Sequence, residues 1–410
     1  MATRTLTIAM NGVTGRMGRS QHLTRSILAI RRQGGVALPG GDVIWPEPVL
    51  VGRDESRLAA LAKDAGLDTY TTDLVAVLDD PSVEVYFDTT ATAQRSAGVR
   101  AALAAGKAVY CEKPLAATAA EAAELADLAE SAAVRNGIVT DKLFLPGIRK
   151  LDRALRSGFF GRVLSVRCDF GYWVFEGEVE EAQRPSWNYR REDGGGMVLD
   201  MFPHWQYLLE GLFGEIRAVS CHAVTHIPRR VDERGRPYDA TADDAAYALL
   251  ELDGGIVASF TCSWATRVRR DELLALHVDG TLGSAVAGLR QCHLQPRAAT
   301  PRAVWNPDIP NGIDFRSTWV EAPGVEEPEE NAFKHQWEAF LRHVAAGEPF
   351  EQTLRWGARG ALLAERALQS SAERRWVDMP AHGATDGDAD GGRDGAGGVG
   401  SAGSTGSATP

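Results

Sequence analysis

Apolar and polar positions change spacing several times along this 410-residue chain, and each change marks an element. Residues 5–10, Thr-Leu-Thr-Ile-Ala-Met, form a short apolar run with β-branched members, the pattern of a strand buried on both faces. Asn11 and Gly12 end it. From Met17 to about residue 32 the apolar residues recur at helical spacing, at Leu23, Ile27, Leu28 and Ile30. Residues 48–52, Val83–Asp88 and Ala108–Cys111 read as further strands, and residues 96–105 and 118–133 as alanine-rich helices. Strands alternating with helices predict a doubly wound parallel sheet, an α/β Rossmann unit, over residues 1–140.

The pattern changes near residue 141. A helix over 147–157 is followed by strand-like stretches at 163–172, 217–224, 245–251, 256–263 and 273–278. Several strands without intervening helices predict a large open, mainly antiparallel sheet in an α+β domain of residues 141–380. Amphipathic helices over 333–346 and 353–371 close it. Residues 381–410 are mostly Gly, Ala, Ser, Thr and Asp, cannot bury apolar surface, and are expected to be a disordered tail.

Three short segments carry candidate chemistry. The first, Gly12-Val13-Thr14-Gly15-Arg16-Met17-Gly18, sits between the first strand and the first helix. Small residues there let the backbone approach a pyrophosphate at a helix N-terminus. Gly12, Thr14, Gly15, Arg16 and Met17 are therefore candidate cofactor contacts. The second strand ends at Gly52-Arg53-Asp54, without the acid that would hold the ribose 2′-hydroxyl of NAD. Arg53 suits a 2′-phosphate, so NADP is favoured over NAD; the bland alternative makes Arg53 and Asp54 ordinary helix-start charges. The second segment, Glu112-Lys113-Pro114, places a lysine beside a rigid proline at a strand end. In the third, Gly194-Gly195-Gly196 leads to Asp200 and His204, a carboxylate and an imidazole four residues apart.

Together, the N-terminal glycine loop, the stretch Ala-Gly-Lys-Ala-Val-Tyr-Cys-Glu-Lys-Pro-Leu-Ala at 105–116 and Gly-Gly-Gly-Met-Val-Leu-Asp-Met-Phe-Pro-His at 194–204 resemble the Gfo/Idh/MocA oxidoreductases. The resemblance spans about residues 3–378. It implies that Lys113, beside the nicotinamide, stabilises the reacting oxygen, that a cis bond precedes Pro114, and that His204 is the acid/base. Asp200 would bind a substrate hydroxyl or orient the imidazole. Thr90, Glu112 and Lys113 would line the cofactor. It also implies an active site at the seam between domains and a sheet face used in a homodimer or homotetramer. The chain departs from the family pattern in three places. Thr90-Ala91-Thr92-Ala93-Gln94-Arg95 replaces Thr-Pro-Asn-x-x-His. Tyr207 stands where an acid often follows the histidine. Pro203 directly precedes His204, so either the helix begins near it, with Asp200 in the preceding turn, or the helix is kinked there.

Nine of the ten tryptophans lie after residue 170, and an indole can stack on the C–H face of a sugar. Trp187 and Tyr189 are the preferred substrate wall; Arg190, Arg191, Arg267 and Arg269 are further candidates for acids or hydroxyls. A sugar, polyol or glycoside follows as substrate, chiefly by resemblance. The net charge of −11 argues against a nucleic-acid partner. No window is apolar enough to span a membrane. Five scattered cysteines without C-x-x-C spacing fit a reducing compartment and argue against a structural metal site. With no hydrophobic signal core ahead of the glycine loop, a cytoplasmic location is expected. The leading expectation is an NAD(P)-dependent dehydrogenase acting on CH–OH. The alternatives are a redox-assisted hydrolase or eliminase that recycles its NAD, and a sugar-responsive regulator that binds nucleotide as a ligand.

Overall fold

The computed structural model describes residues 2–174, 183–310, 312–324 and 331–382. The tail expected to be disordered lies outside the described residues from 383 onward.

The first sheet runs in the order Val36–Ala37, Val43–Val51, Thr3–Asn11, Val83–Asp88, Ala108–Cys111, Asn136–Ile138, with Tyr70–Thr71 also pairing with Val43–Val51. All its pairs are parallel except the Val36–Ala37 hairpin arm. Along the central strand, Leu6, Ile8 and Met10 enter one core layer and Ala9 the other, because successive side chains alternate faces. This is the doubly wound sheet expected.

The second strand begins five residues before the expected start, despite Pro46 and Pro48. Its outer edge explains this: it pairs with Val36–Ala37 at residues 43–44 and with Tyr70–Thr71 at residues 50–51. No described strand lies against the stretch between, so prolines lacking an N–H are tolerated there. The first helix covers residues 18–32. Its first ten residues, Gly18–Ile27, are wound with the wider π hydrogen bonding, and Leu28–Arg32 continue as α-helix. Leu23, Ile27 and Ile30 bury its inner face.

The second sheet has nine strands, in the order Val320–Glu321, Cys292–Pro296, Gly283–Ala287, Leu274–Gly280, Val163–Gly171, Val257–Ser263, Ala245–Leu252, Ile216–Val224, Val377–Asp378. It is antiparallel except where Val257–Ser263 meets Val163–Gly171. In Ala245–Leu252, Ala246, Ala248, Leu250 and Leu252 are buried, while Tyr247, Leu249 and Glu251 face outward. The helices Pro146–Arg156 and Met197–Phe213 contribute to the same core as these strands.

Two late helices join the sheets. Trp337, Phe340 and Leu341 of Ala332–Ala346 lie in the core layer of Leu6 and Ile8. Leu354, Ala358 and Ala361 of Leu354–Glu373 pack with the other face of the first sheet, while Leu363, Ala364 and Ala367 enter the core of the second. Phe340 is fully buried and stacks on Tyr110 with centroids 4.6 Å apart. Phe340→Ala is expected to cost about 3–5 kcal/mol of stability, read as a lowered thermal midpoint together with loss of nucleotide binding.

Candidate active site

Gly12 has φ +82°, and a Cβ on it would lie 2.8 Å from Thr89 C and Thr90 N. The glycine is thus required for the loop to pass the end of the neighbouring strand. Beside it opens a cleft of about 480 Å³ lined by Gly12, Thr14, Gly15, Arg53, Arg57 and Thr90, among others. Small residues and a strand-to-helix turn suit a dinucleotide pyrophosphate. No carboxylate lines the cleft among the described residues. Asp54 is turned away: its Oδ1 accepts from Arg57 N at 3.0 Å and from Ser56 Oγ at 2.7 Å, capping Glu55–Ala65. Asp54 is therefore the helix-start charge of the bland alternative, while Arg53 faces the cleft. Arg57 donates to the Thr14 carbonyl at 3.1 Å. Arg16 is exposed and Met17 half-buried; neither lines this cleft, nor do Glu112 and Lys113.

The lysine is held by what surrounds it. The strand Ala108–Cys111 runs into Glu112, whose N–H donates to the Asp88 carbonyl at 2.9 Å, and the Lys113–Pro114 bond is cis. Buried Arg95 donates to the carbonyls of Pro114 and of Thr90, the latter at 2.8 Å. Its Nε lies 3.5 Å from Asp88 Oδ1, which also accepts from Thr90 N and Oγ1 at 2.9 and 2.7 Å. The arginine at the family's histidine position thus binds the ends of two strands to the proline turn. On the other side, Glu112 Oε1 is 2.8 Å from His22 Nε2, and its Oε2 accepts from Lys113 N at 3.1 Å. Trp337 Nε1 donates to His22 Nδ1 at 3.1 Å, so the neutral ring donates from Nε2 to Glu112. Burial works against the Glu112 charge, but the His22 hydrogen bond, with Lys113 and Arg95, holds its carboxyl below the usual range.

The third segment is one long helix, Met197–Phe213, so it does not begin near Pro203; Asp200 is in its first turn and Pro203 inside it. A Cβ on Gly360 would lie 3.2 Å from Pro203 Cα, so a glycine lets the Leu354–Glu373 helix cross at the proline. Asp243 satisfies the helix start, its carbonyl and Oδ2 accepting from Met197 N and Val198 N at 2.9 and 2.8 Å. Close approach requires the middle glycine: a Cβ on Gly195 would meet the Trp187 carbonyl oxygen at 2.4 Å.

Lys113 Nζ lies 2.8 Å from Asp200 Oδ1 and 2.9 Å from its carbonyl. Both terminal nitrogens of Arg184 donate to Asp200 Oδ2 at 2.9 Å, and the guanidinium sits 4.2 Å from the centre of the Trp264 ring. Burial disfavours the Asp200 charge, yet Lys113 and then Arg184 outweigh it and hold the carboxyl well below its ordinary range. The imidazole is oriented by other groups. His204 Nδ1 is 2.6 Å from the Tyr207 hydroxyl, which donates to Asp141 Oδ1 at 3.0 Å. Lys142 N donates to the same hydroxyl at 3.2 Å, and Lys142 Nζ lies 3.6 Å from Asp141 Oδ2. Burial, followed by the charges of Lys113, Lys142 and Arg184, keeps His204 well below the usual imidazole range. A neutral imidazole near a fixed ammonium is the equipment for removing a proton from a hydroxyl and steadying its oxygen.

Trp187 is 51 % exposed and remains available as a wall. Tyr189 is fully enclosed, with Arg230 3.7 Å over its ring and Trp264 at 5.6 Å, so it presents no face to a ligand and belongs to the core. Arg190 and Arg267 stack on Tyr238 and Trp173. The residue pattern missed His22, Arg95, Asp141, Lys142 and Arg184. One of these was marked indirectly: Arg95, like Tyr207, occupies a position where the chain leaves the family pattern.

Residues 7–139 match the oxidoreductase family with an NAD-binding Rossmann fold, and residues 148–286 match the GFO/IDH/MocA C-terminal domain. This chain is a Gfo/Idh/MocA oxidoreductase. Among curated relatives of this family, D-xylose dehydrogenase of Paenarthrobacter nicotinovorans is 52 % identical over 382 residues, covering 92 % of this chain and 98 % of the relative. Levoglucosan dehydrogenase of Pseudarthrobacter phenanthrenivorans is 25 % identical over 82 % of this chain and 92 % of its own. Among solved structures, a levoglucosan dehydrogenase complex with NADH and levoglucosan superposes with a TM-score of 0.76 at 21 % identity, over 92 % of this chain and 100 % of the other. At that identity the likeness speaks for the fold.

Arg95→Ala strips the Pro114 turn of its clamp and leaves Asp88 buried without its cation. The expected cost is about 3 kcal/mol, visible in thermal melts, with weaker quenching of protein fluorescence by nicotinamide nucleotide.

Proposed function

We propose that this oxidoreductase oxidises an aldose, with D-xylose the first candidate, by hydride transfer from a CH–OH carbon to a nicotinamide dinucleotide. The observation that carries the reading is the meeting at Lys113. A lysine at the carboxyl end of a nucleotide-sheet strand reaches the first turn of the helix that also bears His204. The relative that is 52 % identical over 98 % of its length supports the choice of sugar.

Lys113 donates to the reacting oxygen and favours its alkoxide. His204 takes the hydroxyl proton at Nε2, which makes no hydrogen bond among the described residues. Asp200 holds the Lys113 ammonium in place and offers an acceptor to a second sugar hydroxyl. Trp187 supplies an apolar wall. A bound nicotinamide dinucleotide supplies the hydride acceptor. Gly12, Thr14, Gly15 and Thr90 would hold it, and Arg53, in a cleft that no carboxylate lines among the described residues, would accept NADP through its 2′-phosphate as well as NAD. In this reading residues 1–140 serve the nucleotide and residues 141–380 the sugar, with Ala332–Ala346 lent back to the first sheet. The outward face of the second sheet, with Tyr247, Leu249 and Val257 exposed, would form the contact of a homodimer or homotetramer. Five free, buried cysteines support a reducing compartment such as the cytoplasm.

The test is a screen of D-xylose, other aldoses, inositols and levoglucosan with NAD and NADP, following reduced nicotinamide by absorbance. Lys113→Ala and His204→Ala are each expected to lower kcat roughly a hundred- to ten-thousandfold. Nucleotide binding without reduction by any sugar would hand the protein to the regulator or the NAD-recycling hydrolase.

Arg53→Ala is expected to raise the KM for NADP about tenfold or more and leave that for NAD nearly unchanged. An equal change for both nucleotides would remove Arg53 from cofactor selection.

A further inference from the structure

We propose that Tyr207 and Asp141 are positioning residues: they fix the proton of His204 on Nδ1 and leave the Nε2 lone pair to receive the substrate proton. The inference rests on the reading of His204 as the acid/base, and it follows from counting hydrogens. A carboxylate only accepts, so the single hydroxyl proton of Tyr207 goes to Asp141 Oδ1, 3.0 Å away. The phenolic oxygen is then an acceptor. It receives the Lys142 N–H at 3.2 Å and, at 2.6 Å, His204 Nδ1. Two lone pairs do not face each other at that distance, so Nδ1 carries hydrogen. A neutral imidazole has one such hydrogen, so Nε2 is bare.

The surroundings hold this arrangement. Tyr207 is 3 % exposed and His204 6 %, leaving little access for water to replace either bond. Burial, together with the neighbouring Asp141, pushes the Tyr207 hydroxyl well above its ordinary pKa, so it remains a hydroxyl throughout the working range. Asp141 opens the short helical turn Asp141–Phe144, three residues after the last strand of the first sheet. The chain therefore fixes the base at the point where it crosses from one sheet to the other.

When Nε2 takes the substrate proton, the imidazolium faces groups from every neighbouring element. Lys113 from the strand-end turn, Lys142 from the junction turn and Arg184 oppose the new charge. Asp141 Oδ1, 3.7 Å from Nδ1, favours it, and the Tyr207 oxygen accepts the Nδ1 proton throughout. Asp200 lies one helical turn earlier, with its Oδ1 held by Lys113 and its Oδ2 by Arg184. Asp141 is thus the carboxylate through which the imidazolium is stabilised, and Tyr207 is the link.

Two substitutions separate orientation from charge. Tyr207→Phe removes the acceptor for Nδ1–H. Asp141→Asn keeps an acceptor for the Tyr207 hydroxyl and removes the negative charge. In the full-length protein labelled with ¹⁵N-histidine, the His204 signals, identified by their loss in His204→Gln, are expected to report the Nδ1–H form. Tyr207→Phe should convert them to a mixture or to the Nε2–H form. With D-xylose and NAD, Tyr207→Phe should lower kcat roughly ten- to a hundredfold while the sugar KM stays within about twofold. Asp141→Asn should move the acidic limb of the kcat/KM profile to lower pH. Lys113→Ala should abolish turnover and leave the hydrogen on His204 Nδ1 in place. Wild-type His204 protonated at Nε2, or a Tyr207→Phe protein with unaltered imidazole signals and kcat, would overturn the proposal. A wild type that turns over no sugar, yet shows Nδ1–H that Tyr207→Phe removes, would refute the dehydrogenase reading and uphold the hydrogen-bonded chain.

Discussion

The contact on which the site depends is the ion pair between Lys113 and Asp200. Its partners come from different sheets, one from the end of a parallel strand and the other from the helix that packs on the antiparallel sheet. Side-chain exposures of 16 % and 28 % mean that both charges have lost much of their water. Such a pair is weak as a source of stability, because desolvation takes back most of the Coulomb gain. Its value is positional. An ammonium so placed is aimed, and the fold must hold the two sheets still for it to stay aimed.

That stillness comes from apolar packing at the end of the chain. The Leu354–Glu373 helix buries alanines and leucines in both cores, and Ala332–Ala346 places Trp337 and Phe340 beneath the nucleotide sheet. Trp337 also reaches the chemistry. It bonds His22, His22 bonds Glu112, and Glu112 receives the N–H of Lys113. A hydrophobic contact between distant elements is thereby coupled to the orientation of a polar group.

Charge is balanced within the same small volume. Lys113, Lys142 and Arg184 stand against Glu112, Asp141 and Asp200. Burial and then the cations keep His204 neutral, and the cations hold Asp200 ionised. Burial alone would push His204 in the same direction but would drive Asp200 in the opposite one, so the cations are what let a neutral imidazole and an ionised carboxylate coexist one helical turn apart.

The local pattern of the chain was enough to specify the two-sheet architecture, the glycine turn at Gly12, the strand leading to Lys113 and the four-residue separation of Asp200 and His204. These depend on periodicity, on φ > 0 and on residues close in sequence, all visible without a structure. The pattern could not settle which side of Pro203 the helix begins on, because the group that satisfies its first N–H groups is Asp243, 45 residues beyond Val198. Nor could it tell that Tyr189 is core, that Arg95 clamps the lysine turn, or that Asp141 and Tyr207 hold the imidazole. Each of these follows from which side chains meet across elements, and hydrogen-bond partners at separations of 66 or 87 residues leave no trace in local spacing. Sequence periodicity determined the elements and the types of group available; packing between the sheets decided which of those groups face one another, because burial and charge act through space rather than along the chain.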